Sequence, residues 1–347
     1  MSRLSLGSLA LSLSVVVACS FLLSTDRVEA RQAAGTPERV KFDTFDSVEL
    51  TGNFYPSTRG NKAPCAILLH AFGENSQKDG WDEVAKELQK KGIAVLTFDF
   101  RGHGDSTTVG PGFWTADRVN LTLKTAKNPK SKDKLSYKDF TSSDHYYMMV
   151  NDIQAARRFL ERKNDSGECN ASNMILIGAE TGATLGALWT HWAWQVQRVQ
   201  PALLGQVPSV DKEGKDVACA VWLSLSPSVG GSTKVNPSNW MRAPVREKVP
   251  MYFIYGEKDV KGAKLAKQLH DGVLKANTDK SLKHTGLKAI PETKLTGREL
   301  LDKSFGTAEM IVKYVTKVLD DRGTNVWTKR EVERTLPRRI DFERLPR

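Results

Sequence analysis

The stretch IAVLTFDFRGHGDS occupies positions 93–106. Its first part, Ile93 to Phe98, is an almost continuous apolar run of strand length, which predicts a strand buried on both faces. The part that follows, Asp99 to Ser106, is polar and rich in glycine. Because ligands of an open parallel sheet bind beyond the carboxyl ends of its strands, this turn is a candidate part of a functional site.

The same order of buried strand, polar turn and helix recurs along the chain. Further buried strands are predicted at Cys65–Leu69, Met174–Ile177, Val217–Leu225, Pro250–Tyr255 and Leu287–Ile290. Helical spacing of apolar residues predicts helices at about Trp81–Lys91, Tyr146–Arg162, Gly182–Trp194, Gly262–Leu274 and Ala308–Leu319. This alternation predicts an α/β fold: a mostly parallel central sheet with helices on both faces. Residues 39–55 alternate around Asp46-Ser47 and predict an antiparallel hairpin at its edge.

Three stretches interrupt the alternation. A long basic insertion, about residues 107–140, carries six lysines: Lys124, Lys127, Lys130, Lys132, Lys134 and Lys138. Residues 226–246 are polar and rich in serine, proline and glycine. The basic C-terminal tail, residues 323–347, is expected to lie on the surface or to fray. We therefore expect one domain at 39–322.

The N-terminal residues are expected to direct export. Leu4 to Leu23 is an apolar stretch after Arg3, and the small residue Ala30 offers a cleavage point, so residues 1–30 are interpreted as a signal peptide and 31–38 as a linker. Two alternatives remain open: lipoprotein anchoring at Cys19 and an uncleaved anchor. The predicted location is the periplasm, the cell envelope or the exterior, with membrane contact only through this N-terminal segment.

Four turns together resemble the α/β-hydrolase family, in particular its serine-aminopeptidase and esterase-like members. The resemblance covers roughly residues 39 to 320. His70-Ala71-Phe72-Gly73 looks like the oxyanion loop of the family, and Asp99–Ser106 looks like its D-x-R-G-H-G-x-S segment. Gly178-Ala179-Glu180-Thr181-Gly182 stands in the place of the G-x-S-x-G nucleophile elbow. Gly256-Glu257-Lys258-Asp259 resembles the loop that carries the catalytic acid.

The residues expected to carry the chemistry are replaced. The mechanism of the family uses a nucleophile at the elbow, a histidine that activates it and an acid that orients the histidine. The residue at the elbow apex is Glu180, and no histidine follows His284. The triad-equivalent positions are thus Glu180 and Asp259, and no catalytic residue is assigned. Without a histidine, Asp259 is expected to cap its loop.

The resemblance implies a surviving pocket around the elbow. The backbone N–H groups of Phe72 and Thr181 should converge there as an oxyanion hole. Residues that would line this pocket are His70, Ala71, Gly178 and Gly182. For the Glu180 carboxylate three alternatives stand: it occupies the oxyanion hole itself, it binds a cation, or it is solvated or salt-bridged near Lys294 or Arg101.

Composition excludes disorder as the default, since 40% of the residues are hydrophobic. The net charge of +11 is compatible with an acidic partner, although a solvated lysine-rich surface explains it equally well. The sequence shows no metal-ligand spacing, no cofactor motif and no nucleic-acid recognition motif. Three functions are compared: a non-catalytic binding or structural protein, an active acyl, ester or peptide hydrolase with unusual residues, and a binder of an acidic cell-envelope polymer. A small-molecule ligand also remains open.

Overall fold

The computed structural model describes residues 36–127, 132–230, 233–242, 245–275 and 283–341. The predicted signal peptide, its cleavage point and Cys19 lie outside the described residues. The described residues form one compact unit. Within the described residues, no helix is long and apolar enough to cross a membrane.

The predicted alternation of strands and helices is present. The strands are β1 (Glu38–Asp43), β2 (Val48–Tyr55), β3 (Pro64–Leu69), β4 (Ala94–Phe98), β5 (Thr108–Val109), β6 (Asn170–Ala179), β7 (Gln197–Ala202), β8 (Gly205–Lys212), β9 (Val217–Leu223), β10 (Ser228–Gly230), β11 (Thr233–Lys234), β12 (Met251–Gly256) and β13 (Gly286–Ile290). The helices are α1 (Trp81–Lys90), α2 (Phe113–Ala116), α3 (Ser143–Met148), α4 (Val150–Asp165), α5 (Glu180–Gln195), α6 (Val245–Lys248), α7 (Val260–Lys275) and α8 (Thr307–Arg322).

The central sheet has nine strands in the order β1-β2-β4-β3-β6-β9-β12-β13, with β5 pairing β2. The six strands from β4 to β13 run parallel, whereas β1 and β2 form the predicted antiparallel hairpin at one edge. Strands β3, β4, β6 and β9 are buried along their whole length because helices cover both faces of the sheet. Helices α1 and α8 pack on one face, and α4, α5 and α7 pack on the other.

Two segments are more ordered than the sequence suggested. The insertion contributes the short strand β5 to the sheet and buries apolar side chains such as Phe113 and Leu135. The tail lies on the surface as expected, but residues up to Asp341 do not fray. Val332 and Ile340 are buried, and the Arg330 guanidinium pairs with Asp216. These apolar anchors are too far apart in the sequence to form a periodic pattern.

Strands β7 and β8 form a hairpin that the sequence analysis did not predict. They make a separate two-stranded antiparallel sheet between α5 and β9. Its residues are mostly exposed or half-buried, so they lack the alternation of apolar and polar residues that identifies a strand packed on a core.

Candidate functional site

The turn from β6 into α5 has the sharp geometry expected of an elbow. Strand β6 ends at Ala179 and the helix begins at Glu180, whose φ of 47° is left-handed and therefore strained for a residue with a side chain. A Cβ added to Gly178 would lie 2.6 Å from the Ala183 Cα, and one added to Gly182 would lie 2.3 Å from the His70 carbonyl oxygen. Glycine is thus required at both positions for the helix to pack so closely.

The Glu180 carboxylate points to the loop after β13. Its Oε1 accepts a hydrogen bond of 2.5 Å from the Thr296 hydroxyl. The next residue, Gly297, has a φ of 52° and lies against the Glu180 side chain, where an added Cβ would approach Cγ to 2.6 Å. This loop is the segment in which the resemblance places the catalytic histidine. Thr296 and Gly297 occupy it instead.

The environment of Glu180 disfavours its ionised form. Burial raises the pKa of this carboxyl, and the nearby carboxylates of Glu74, Glu299 and Asp259 raise it further. The hydrogen bond from Thr296 acts in the opposite direction and does not cancel these effects.

One of the two predicted oxyanion donors, the Phe72 N–H, is already bonded. The Phe72 N–H donates a hydrogen bond of 2.5 Å to the Thr181 hydroxyl. An oxyanion hole requires donors aimed at the position that the substrate oxygen takes in the transition state. The Thr181 hydroxyl therefore accepts the hydrogen bond that a substrate oxygen was expected to accept. The Glu180 carboxylate, which was the other candidate for this position, accepts a hydrogen bond from Thr296 instead.

Asp259 accepts a hydrogen bond that caps helix α7. Its Oδ1 accepts from the Gly262 N–H at 3.0 Å, at the beginning of α7. This is the bond of a helix N-cap, which satisfies one of the free N–H groups of the first turn. The described hydrogen bonds and ion pairs join neither Asp259 nor Glu180 to a histidine.

His70 and His103 tie neighbouring turns together. His70 Nε2 accepts from the Phe100 N–H at 2.9 Å and its Nδ1 lies 2.7 Å from the Ala71 carbonyl oxygen. His103 Nε2 accepts from the Gly73 N–H at 3.0 Å. Burial lowers the pKa of His70 to about 4 and that of His103 to about 3. Both imidazoles are therefore neutral at physiological pH and hold loop backbone in place.

The other four histidines have separate partners. His145 accepts the Thr141 N–H at the start of α3, and His191 Nδ1 lies 3.0 Å from the Trp240 carbonyl oxygen. His270 pairs with Asp271 and His284 with Asp321. All six histidines of the chain lie in the described residues, so the structure accounts for each of them.

Arg101 does not reach Glu180, which rules out that proposed salt bridge. The buried guanidinium pairs instead with Asp46 at 2.8 Å and with Asp152 at 2.7 Å. Asp99, at the start of the same turn, accepts the N–H groups of Ser76 and Asp105. The turn after β4 is thus held by its own polar side chains.

An ion pair that the sequence analysis did not predict also holds the loop after β13 in place. The Arg298 Nε lies 3.2 Å from the Glu74 Oε1, in the segment that follows the oxyanion loop, and its Nη1 donates to the Asp79 carbonyl at 3.3 Å. The indication of this contact in the sequence was that Thr296 and Arg298 lie in the segment where the resemblance places a histidine. Together with the Thr296–Glu180 bond, this ion pair fastens the loop over the elbow.

Solved structures share this fold. An esterase of Pyrococcus furiosus is 16% identical, with a TM-score of 0.52, covering 81% of this chain and 91% of that one. Esterase Est22 is 13% identical, with a TM-score of 0.53 and 82% of each chain covered. An α/β-hydrolase from a Penicillium species is 12% identical, with a TM-score of 0.51, covering 83% of this chain and 99% of that one.

No family model and no curated protein sequence matches the chain. At identities this low, the structural likeness concerns the fold and not the activity. The predicted fold class is confirmed by these neighbours and by the mostly parallel sheet.

Proposed function

We propose that this protein, whose fold is that of the α/β-hydrolases, acts without hydrolytic turnover as a binding or structural protein. The observation that carries the proposal is the pair of bonds at the elbow: Glu180 to Thr296, and the Phe72 N–H to the Thr181 hydroxyl. In this proposal the side chains of the elbow hold the neighbouring loops in place through these hydrogen bonds. The candidate ligands are a small molecule or an acidic polymer of the cell envelope, in keeping with the net charge of +11.

Chemistry at Glu180 would lack two components. Attack of the Glu180 carboxylate on an ester carbonyl would expel the alcohol and form a mixed anhydride, which water must then cleave. The described residues bring no histidine into hydrogen-bond contact with Glu180 to activate that water. The Phe72 N–H is also occupied, so the charge that develops on a carbonyl oxygen loses a donor. Removing one such donor alone costs about 10²- to 10³-fold in kcat. An active hydrolase that uses Glu180 is therefore the less supported alternative.

The test is hydrolysis of activated esters by the purified wild-type protein and by Glu180→Gln. Glutamine keeps an oxygen that accepts from Thr296, so the loop remains fastened while the carboxylate is lost. A matched control is Glu257→Gln, which removes an exposed carboxylate from a neighbouring turn. We expect all three proteins to show the same background rate with p-nitrophenyl acetate and butyrate.

Turnover that is present in the wild type and in Glu257→Gln, but lost in Glu180→Gln, would refute the proposal. Labelling of the wild type by a fluorophosphonate probe would do the same, because it would reveal an activated serine. A rate shared by all three proteins would be assigned to nonspecific hydrolysis.

We further propose that the protein is exported, with cleavage after Ala30. The support is the apolar stretch from Leu4 to Leu23 and the small residues around Ala30. Mass measurement of the mature N-terminus tests this directly. A start at Cys19 with added lipid would instead show lipoprotein anchoring, and a start at Met1 would show an uncleaved segment.

A further inference from the structure

Two of the cysteines that the structure describes lie side by side in the core. Cys65 is the second residue of β3, and Cys169 directly precedes Asn170, the first residue of β6. The Cys65 thiol lies 3.9 Å from the Asn170 carbonyl oxygen, and the Cys65 and Cys169 side chains are in hydrogen-bond contact with each other. Both residues are fully buried free thiols.

The pairing of β3 with β6 accounts for this contact. The two strands are parallel neighbours, and Pro64 pairs with Asn170 at their amino ends. The register shifts at the next residue of β3, where Cys65 pairs with Met174, so β6 has a bulge between Asn170 and Met174. A bulge redirects the side chains near it. The irregular start of β6 thus allows the Cys169 side chain to lie against Cys65.

The third described cysteine offers a comparison within the same core. Cys219 in β9 is equally buried, but it lies on the opposite face of the sheet, against α1 and α8. Cys65 and Cys169 share the other face, where the Cys169 thiol donates to the Leu160 carbonyl of α4 at 3.5 Å. A single buried thiol behaves as a small apolar side chain, which is a sufficient explanation for Cys219. Two thiols in contact are also the starting geometry for a covalent bond.

We propose that Cys65 and Cys169 form a disulfide when the protein folds in an oxidising compartment. Each thiol gives up one proton and one electron as the S–S bond forms. The acceptor is an external disulfide, of a small thiol compound or of a dithiol oxidoreductase, and it is reduced to two thiols. The reaction passes through a mixed disulfide, from which the second cysteine displaces the thiol of the acceptor. Of the proposed function it uses only export, because an oxidising compartment supplies such an acceptor.

The environment of the pair determines when the bond forms. The hydrogen bond with Cys65 and the burial of the side chain raise the pKa of the Cys169 thiol well above its usual range. The thiolate is the species that attacks a disulfide, so the folded reduced protein exchanges slowly. The bond therefore forms while the chain folds, before α4 covers the pair. The same burial then protects it from reductants.

The disulfide would constrain the centre of the sheet. It closes a loop of about 100 residues, which contains β4, the basic insertion and α4. It lies at the amino ends of β3 and β6, whereas the elbow follows the carboxyl end of β6. The bond therefore stabilises the fold without contacting Glu180, and it does not depend on the absence of turnover.

The experiment uses the full chain with Cys19→Ser, which leaves only the three buried cysteines. The protein is unfolded with dithiothreitol, freed of the reductant and refolded in a mixture of reduced and oxidised glutathione. Remaining thiols are alkylated with iodoacetamide under denaturing conditions. Mass spectrometry of the intact protein and of its unreduced tryptic peptides then identifies the state of each cysteine. Cys169→Ala is the test variant, and Cys219→Ala is the matched control because it also removes a fully buried thiol.

We expect one alkylated thiol, that of Cys219, and a joined pair of peptides that contain Cys65 and Cys169. Cys219→Ala should retain the joined pair, whereas Cys169→Ala should have none. Wild type that is kept reduced throughout refolding should have a Tm roughly 5–10 °C lower than the oxidised protein. The Tm of Cys169→Ala should not change with the reductant. Protein that is folded before glutathione is added should form the bond at least about tenfold more slowly than the refolding chain.

Three alkylated thiols in the refolded wild type overturn the proposal, and so does a bond that includes Cys219. These measurements on the wild type remain decisive even if Cys169→Ala does not fold. Because purified protein is used, the result does not depend on export. The ester assays and the mass of the mature N-terminus test the proposed function separately, so the proposals fail independently.

Discussion

The turns after β4 and β6 lie at the same edge of the sheet but differ in what they retain. The turn after β4 has every polar residue of its motif, and Asp99, Arg101 and His103 are each bonded to neighbouring backbone or side chains. The turn after β6 retains the two glycines that allow its sharp bend, whereas its apex is Glu180. The residues that match the two motifs hold backbone in place, whereas Glu180 stands at the position that the resemblance assigns to the nucleophile.

The comparison is tested most strongly at Arg101. Arg101→Met leaves the buried carboxylates of Asp46 and Asp152 without their cation, which should cost about 3–5 kcal/mol in the free energy of unfolding. Urea denaturation measures the loss. The control Arg39→Met removes an exposed pair with Asp105 and should cost less than about 1 kcal/mol. Equal losses in both variants would contradict a structural role for the turn after β4.

The elbow glycines provide the next largest effect. Gly182→Ala forces a Cβ against the carbonyl oxygens of His70 and Leu69, so we expect a loss of about 2–3 kcal/mol from overpacking. Gly272→Ala in α7 is the matched control, because no atom outside its own helix approaches the added Cβ. It should be neutral or stabilise by up to about 1 kcal/mol. A neutral Gly182→Ala would show that the elbow packs less tightly than described.

The neutral histidines predict instability in acid. Since burial lowers the pKa of His103 to about 3, the unfolded chain, in which histidine titrates near 6.5, binds a proton that the folded protein does not. Stability is therefore fully present above about pH 6.5 and falls as the pH decreases, by about 1.4 kcal/mol per pH unit for each such histidine.

His103→Gln tests this effect. Below pH 6.5 the variant should lose stability less steeply than the wild type, although its stability at pH 8 is lower because the bond to Gly73 is altered. Urea denaturation at a series of pH values between 8 and about 4.5 gives the two slopes. Parallel curves would mean that His103 is protonated in the folded protein.

The smallest effect is expected at Asp259. Asp259→Ala removes the N-cap of α7 and should cost about 1 kcal/mol, while Asp259→Asn should retain most of the stability because asparagine is an equally good cap. Thermal denaturation separates the two variants. If asparagine were as damaging as alanine, the negative charge would matter, and Asp259 would have a role beyond capping.

The sequence by itself determined the alternation of buried strands and helices in a mostly parallel sheet, and the presence of Glu180 between Gly178 and Gly182 at the end of a strand. These features depend on local signals, namely continuous apolar runs and glycines at fixed spacing. Each signal lies within a few neighbouring residues, so periodicity and turn chemistry reveal it.

Only the tertiary structure decided which partners meet. The Thr296 hydroxyl reaches Glu180 across 116 positions, and Thr181 takes the Phe72 N–H across 109 positions. The packing of the tail was missed for the same reason, because its few anchors, such as Ile340, contact segments that are distant along the chain. Hydrogen bonding and burial act through space, and a sequence pattern records only what is near along the chain.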